Sequence, residues 1–155
     1  MILYLDTSSL LKLFLAEVHS DLVAQWAEAA EAIATSQVAY PEAMSALARR
    51  WSQGDLTGEE LAVARERLDG AWPTYVLLQV NERMAGELAG DFLLRGFDAI
   101  HLAAAYDLRS RFPSEDLVFS SFDTDLIRAA GLIGLATLHL TPQDGYVMDP
   151  KYYAR

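Results

Sequence analysis

Four acidic residues stand where this chain could do chemistry: Asp6, Glu42, Asp98 and Asp123. Asp6 closes the apolar run Ile2-Leu3-Tyr4-Leu5 and is followed by the hydroxyl residues Thr7, Ser8 and Ser9. Asp123 closes a second run, in Ser120-Ser121-Phe122-Asp123, while Glu42 follows Pro41 at the start of a helical pattern and Asp98 opens an alanine-rich one. Each has an ordinary explanation. Asp6, Asp98 and Asp123 would serve as helix N-caps, and Glu42 would suit the positive end of a helix dipole. As a set they ask for more. Helices that follow parallel strands start at one edge of the sheet, so Asp6, Glu42 and Asp123 are expected to be neighbours, and Asp98 joins them if its helix runs back to feed a parallel strand. Carboxylates gathered in this way repel one another unless a cation sits among them, and a hard ion with oxygen ligands, Mg²⁺ or Mn²⁺, is the natural remedy. Such an ion lowers the pKa of a bound water and neutralises charge building up on a phosphoryl oxygen, which is the chemistry of phosphodiester hydrolysis. Ser8 and Ser121 are near enough to orient ligands or waters, although turn and cap hydroxyls are their plainer role.

The elements that must position these acids follow from periodicity. Ile2 to Leu5 reads as a buried strand, and Leu10, Leu11, Phe14 and Leu15 share one face of a helix near Ser9 to Ala16. A helix over Asp21 to Ala30, capped by Ser20 or Asp21, leads to a short strand at Ala32 to Thr35. Pro41 takes the first position of the next helix, which Gly54 ends after Arg49 and Arg50. Thr57-Gly58-Glu59-Glu60 is a capping box opening a helix to about Leu68. Thr74 to Val80 forms a third strand, and Asn81 caps a helix to about Leu94. Asp98 then starts a helix to Leu108 that is apolar nearly all round and must lie deep in the fold. Leu117 to Ser120, a helix over Asp123 to Ala130, and Leu135 to Leu138 complete the pattern. This alternation predicts an α/β fold, three layers in α/β/α order around a parallel sheet of about five strands. Residues 1–140 form the domain, and 141–155 a C-terminal arm of it without periodicity.

Composition narrows the class. With 52% hydrophobic and 22% charged residues the chain is globular rather than disordered. No apolar run approaches the roughly 20 residues of a membrane span. Met1 leads straight into the first strand, so no signal peptide is expected. Cysteine is absent, which excludes disulfides and thiolate metal sites and makes the cytoplasm the default location. A net charge of −10 ordinarily counts against a nucleic-acid ligand. It suits a soluble surface equally, or acids gathered around a cation, or a basic partner.

Leu5-Asp6-Thr7-Ser8, Pro41-Glu42-Ala43, Phe97-Asp98-Ala99-Ile100-His101-Leu102-Ala103 and Ser121-Phe122-Asp123-Thr124-Asp125-Leu126 appear in order and at fitting intervals. Together they resemble the PIN-domain ribonucleases, and within these the VapC-type toxins of prokaryotic toxin–antitoxin pairs, over essentially the whole chain. The resemblance implies an endoribonuclease in which Asp6, Glu42, Asp98 and Asp123 form a Mg²⁺ or Mn²⁺ site. It also implies a cognate antitoxin in the active-site groove and a homodimer. Ser121 stands where the family often has threonine, and Asp125 adds a second acid to the last block; Asp123 is favoured over Asp125 because it lies directly at the strand-to-helix turn.

The remaining polar residues carry plainer readings. His101, one turn after Asp98, fits a histidine satisfied by hydrogen bonds within the fold better than a ligand or general base. Lys12, Arg49, Arg50 and Arg95 are candidates for phosphate contacts, with helix-terminal charge the alternative for Arg49 and Arg50. Trp26, Trp51 and Trp72 are expected in core or interface packing. Two rival functions stand beside the ribonuclease: a phosphatase using Asp6 as covalent nucleophile, disfavoured by Ser8 where a second acid would be wanted, and a non-catalytic module whose acids only cap helices.

Overall fold

The short apolar runs pair into one sheet. The computed structural model describes the backbone of residues 1–141 and 145–148, with side chains as far as Leu138. Strands β1 (Ile2–Leu5), β2 (Ala32–Ser36), β3 (Val76–Leu78), β4 (Leu117–Ser120) and β5 (Ala136–Thr141) are parallel, and β6 (Gly145–Met148) pairs antiparallel with β5. Their order is β3-β2-β1-β4-β5-β6. β1 and β4 are central and in register, Leu5 opposite Ser120, which is why both read as unbroken apolar runs. The chain leaves β1 toward β2 on one side and β4 toward β5 on the other. That reversal opens a crevice beyond the carboxyl ends of β1 and β4, the usual place for a ligand in an open α/β sheet.

The period-two alternation of the strands divides the core into two layers. Leu3, Leu5 and Val118 face α1 (Thr7–Leu11), α2 (Ser20–Ala29), α3 (Ala39–Ser52) and α4 (Gly58–Ala71), meeting Leu10, Val23, Leu47 and Leu68. Tyr4, Ala34 and Phe119 face the other way, packing with Leu102, Leu126 and Ala129 of α6 (Gly96–Arg111) and α7 (Thr124–Leu132). α5 (Glu82–Phe92) leans on α6 through the small side chains Ala85, Ala99 and Ala103. No described helix is long and apolar enough to cross a membrane.

Several expected boundaries shift for local reasons. The first helix begins at Thr7, because Asp6 accepts the Ser9 N–H as its N-cap, and it ends at Leu11. Phe14 and Leu15 still reach the core, but from irregular chain. At α2 neither Ser20 nor Asp21 caps; His19 does so by position, with φ of 70° and no side-chain bond. Pro41 is the third residue of α3 rather than its first, tolerated because the first turn needs no N–H partner. Asp98 is not an N-cap: α6 starts at Gly96 after Arg95, so Asp98 lies inside the first turn. Thr74 belongs to a 3₁₀ turn, Trp72–Thr74, that delays β3 to Val76. The capping box at Thr57 and the Asn81 cap form as read. The tail read as an arm supplies β6, whose backbone pairing requires no apolar alternation; its other residues, 142–144 and 149–155, and the side chain of His139 lie outside the described residues.

Leu102 is fully buried between α6 and the sheet. Leu102→Ala should cost about 2–5 kcal/mol, measured by urea unfolding, since its neighbours cannot close the gap.

Candidate active site

The acids meet at the crevice that the strand order creates. Asp6, Glu42, Asp98 and Asp123 line one cleft of about 470 Å³, together with Thr7, Ser8, Lys12, Glu17, Arg50, Arg95 and His101. Asp6 and Asp123 come from the turns after β1 and β4, Glu42 from the first turn of α3, and Asp98 from the first turn of α6. Asp125 is not among the lining residues; it is 78% exposed and faces Arg128.

Asp6 is 4% exposed, and both its oxygens are engaged. Ser8 Oγ donates to Oδ1 at 2.8 Å and Ser121 Oγ to Oδ2 at 2.6 Å, while the Ser9 N–H donates to Oδ1 at 2.8 Å. The two serines in turn accept backbone N–H groups, Ser8 from Phe122 across the crevice at 2.9 Å and Ser121 from Asp123 within its own turn at 3.0 Å. The hydroxyls therefore stitch the β1–α1 turn to the β4–α7 turn with Asp6 at the seam. Burial pushes the Asp6 carboxyl above the usual carboxylate range, against the pull of nearby His101 and of the hydrogen bonds from Ser121, Ser9 and Ser8. An Asp6 so enclosed is poorly placed for the in-line attack a covalent phosphatase would require.

Glu42 is held differently. His101 Nε2 lies 3.0 Å and Thr7 Oγ1 2.7 Å from its Oε2, and Tyr4 Oη lies 3.0 Å from His101 Nδ1. A carboxylate only accepts, so in the neutral imidazole Nε2 carries the proton toward Glu42 and Nδ1 accepts the Tyr4 O–H. Burial alone would raise the Glu42 carboxyl, but the hydrogen bonds from His101 and Thr7 outweigh it and hold the group below the usual range. His101 is buried and satisfied within the fold, as its apolar helix suggested, and its partner is one of the four acids. Tyr4 and Thr7 were missed in the sequence. The signal for Tyr4 is its inward place in the β1 alternation, since a buried phenol needs a polar partner.

Arg95 closes the far side. Its Nε is 2.6 Å from Asp98 Oδ2 and an Nη 3.0 Å from Asp123 Oδ2, while Asp123 Oδ1 accepts the N–H groups of Asp125 and Leu126 to cap α7. Glu17, also unremarked in the sequence, binds both Lys12 and Arg50, so these two cations line the cleft while neutralising an acid of its wall. Lys12 also lies 4.2 Å over the Phe122 ring, on which His19 stacks. Arg49 points away, to Ser45. Trp26 packs on the core, Trp72 against Tyr40 and Tyr75, and Trp51 is half exposed.

Residues 3–132 match the PIN domain model. The chain belongs to the PIN-domain family. It is 36% identical over 107 residues to a Mycobacterium tuberculosis protein named Ribonuclease VapC49, covering 67% of this chain and 74% of that one. It is 31% identical over 141 residues to Ribonuclease VapC47 of the same species, covering 87% of this chain and 94% of the relative. Among solved structures, a toxin–antitoxin complex from Klebsiella pneumoniae superposes with a TM-score of 0.55 at 22% identity, over 78% of this chain and 86% of that chain. The PIN-domain assignment and the VapC relatives place the chain with the VapC-type PIN domains, and the four acids lie within the matched residues 3–132.

The environment of Asp6 gives a pH signature. A raised carboxyl favours the neutral form in the fold, so its contribution to stability is full below the unfolded value of about 4 and is lost as pH rises through the folded value. At pH 7 without divalent ions, Asp6→Asn should raise the thermal midpoint, and the gain should shrink as pH falls toward the unfolded carboxyl value of about 4. Scanning calorimetry at the two pH values checks it.

Proposed function

We propose that this protein is a divalent-cation-dependent endoribonuclease, the toxin of a toxin–antitoxin pair, with Asp6, Glu42, Asp98 and Asp123 as its Mg²⁺ or Mn²⁺ site. The observation that carries the reading is the convergence of four carboxylates, from four separate turns and helix starts, on one cleft at the strand-order reversal. The donors fit a hard ion: carboxylate oxygens, backed by hydroxyls and a histidine and without thiolates.

A divalent ion bound there supplies Lewis acidity, lowering the pKa of a water and offsetting charge on a phosphoryl oxygen. The chain's residues provide the rest. Asp6 is fixed by three donors and forms the rigid end of the site. Glu42 receives both its bonds on Oε2, which keep it a carboxylate and leave Oε1 to face the ion or orient the attacking water. Asp98 and Asp123 contribute from the opposite wall. Lys12, Arg50 and Arg95 are the cleft's cations for a phosphate backbone; the acids Asp6, Glu17, Glu42, Asp98 and Asp123 line it with them, so a bound divalent ion would be needed to offset their charge before a polyanion enters. The names of the M. tuberculosis relatives support RNA as substrate, and the K. pneumoniae complex supports an antitoxin partner. A basic antitoxin segment would complement the net charge of −10. The reading includes a homodimer in the cytoplasm, with 141–155 an arm of the single domain.

Purified protein should cleave an oligoribonucleotide in Mn²⁺ or Mg²⁺ and stop in EDTA. Asp98→Asn and Glu42→Gln should each lower the rate by at least about 100-fold, more than the tenfold to hundredfold usual for groups behind the ligands. Cleavage that survives chelation, or is undiminished in Asp98→Asn, would overturn the reading. Tyr4→Phe, which removes the hydroxyl that orients His101, should cost about tenfold with the fold intact by circular dichroism.

A further inference from the structure

Both oxygens of Asp123 are already committed. Its Oδ1 is committed to the backbone N–H groups of Asp125 and Leu126, and its Oδ2 to Arg95. A cation that takes an oxygen from Asp123 must share or displace that arginine, because turning Oδ1 inward would uncap α7. The same guanidinium holds Asp98 Oδ2, so it spans two acids 25 residues apart in sequence and seated on different helices. Among the described residues, no group of three acids or histidines is set to hold an ion as it stands. Yet the Arg95 side chain is 77% exposed, and it makes no cap bond to α6. It can leave without unpacking the core.

Building on the divalent-ion reading above, we propose that Arg95 is an exchangeable counter-ion: it bridges Asp98 and Asp123 in the ion-free protein, releases them when the divalent cation enters, and then binds a phosphate of the RNA. The exchange is one of like for like. The planar guanidinium fork that spans two carboxylates matches the oxygens of a phosphodiester equally well. Once a cation neutralises the acids, the arginine loses its partners just where a polyanion arrives. Arg95 is thus a positioning residue for substrate and a competitor for the ion. The apparent ion affinity is lowered by the fraction of molecules in which the bridge is closed. The two ligands therefore respond to its removal in opposite directions, which a merely structural side chain would not produce.

The test is isothermal titration of Mn²⁺ into the wild-type protein, Arg95→Gln and Arg95→Lys, paired with KM and kcat for a short oligoribonucleotide. Arg95→Gln should bind Mn²⁺ about threefold to tenfold more tightly and show a KM raised by a similar factor. Arg95→Lys keeps the charge but cannot span both acids, so it should also bind Mn²⁺ more tightly than wild type, by a smaller factor. Unchanged or weakened Mn²⁺ binding in Arg95→Gln overturns the proposal. So does Arg95→Lys matching the wild type while Arg95→Gln tightens, since the general field and not the bridge would then be responsible. Mn²⁺ binding that is equal in all three proteins removes this inference and leaves the metal-centred nuclease standing; no binding in any of them removes both.

Discussion

The arrangement depends on one buried carboxylate. Asp6 sits at the end of the central strand with 4% of its surface exposed, where an unsolvated charge would be prohibitive. The chain solvates it with two serine hydroxyls and one backbone N–H. Because the same hydroxyls accept the N–H groups of Phe122 and Asp123, satisfying Asp6 also fixes where the β4–α7 turn runs. A buried Ser9–Ser120 bond at 2.9 Å and the Asp6 N–H to Ser120 carbonyl bond reinforce that seam. Asp123 therefore occupies the cleft as a consequence of how Asp6 is accommodated.

A second network enters from the other side. Tyr4 points from β1 toward the α6 layer, and Glu42 descends from α3 in the opposite layer. Through His101 and Thr7 the two are linked over the end of the sheet. The effect on the acids is opposite: burial raises Asp6, while hydrogen bonding lowers Glu42. Glu42 is thereby held as a carboxylate, while Asp6 is held nearer its neutral form until a positive charge stands beside it.

Much of this was legible in the sequence, and the failures have physical causes. The central strands β1 and β4 were read to the residue because both their faces are buried, so no alternation blurs their ends. β3 begins later than read because Thr74 and Tyr75 favour strands locally, whereas the 3₁₀ turn Trp72–Thr74 around Pro73 takes in Thr74 and ends at Tyr75. The sixth strand escaped because an edge strand is specified by backbone pairing. Asp98 resembled a cap because Arg95-Gly96-Phe97 looks like a helix break, yet Gly96 and Phe97 are already helical. Within the site, types and spacing pointed to the four acids. They could not disclose the cross-links made by Thr7, Tyr4 and Arg95, which join residues 28 to 97 positions apart.

Helix capping and ligand binding are not rival explanations for these acids, because a carboxylate has two oxygens. Asp123 caps α7 with Oδ1 and turns Oδ2 to the cleft. Asp6 caps α1 with Oδ1 while its Oδ2 faces Ser121. Glu42 and Asp98 cap nothing: each lies within the first turn of its helix and spends its charge on His101 and Thr7, or on Arg95. A module built only to terminate helices has no reason to bring those two acids into the cleft that Asp6 and Asp123 line. An arginine and a histidine stand among them, Arg95 touching Asp98 and Asp123 and His101 touching Glu42.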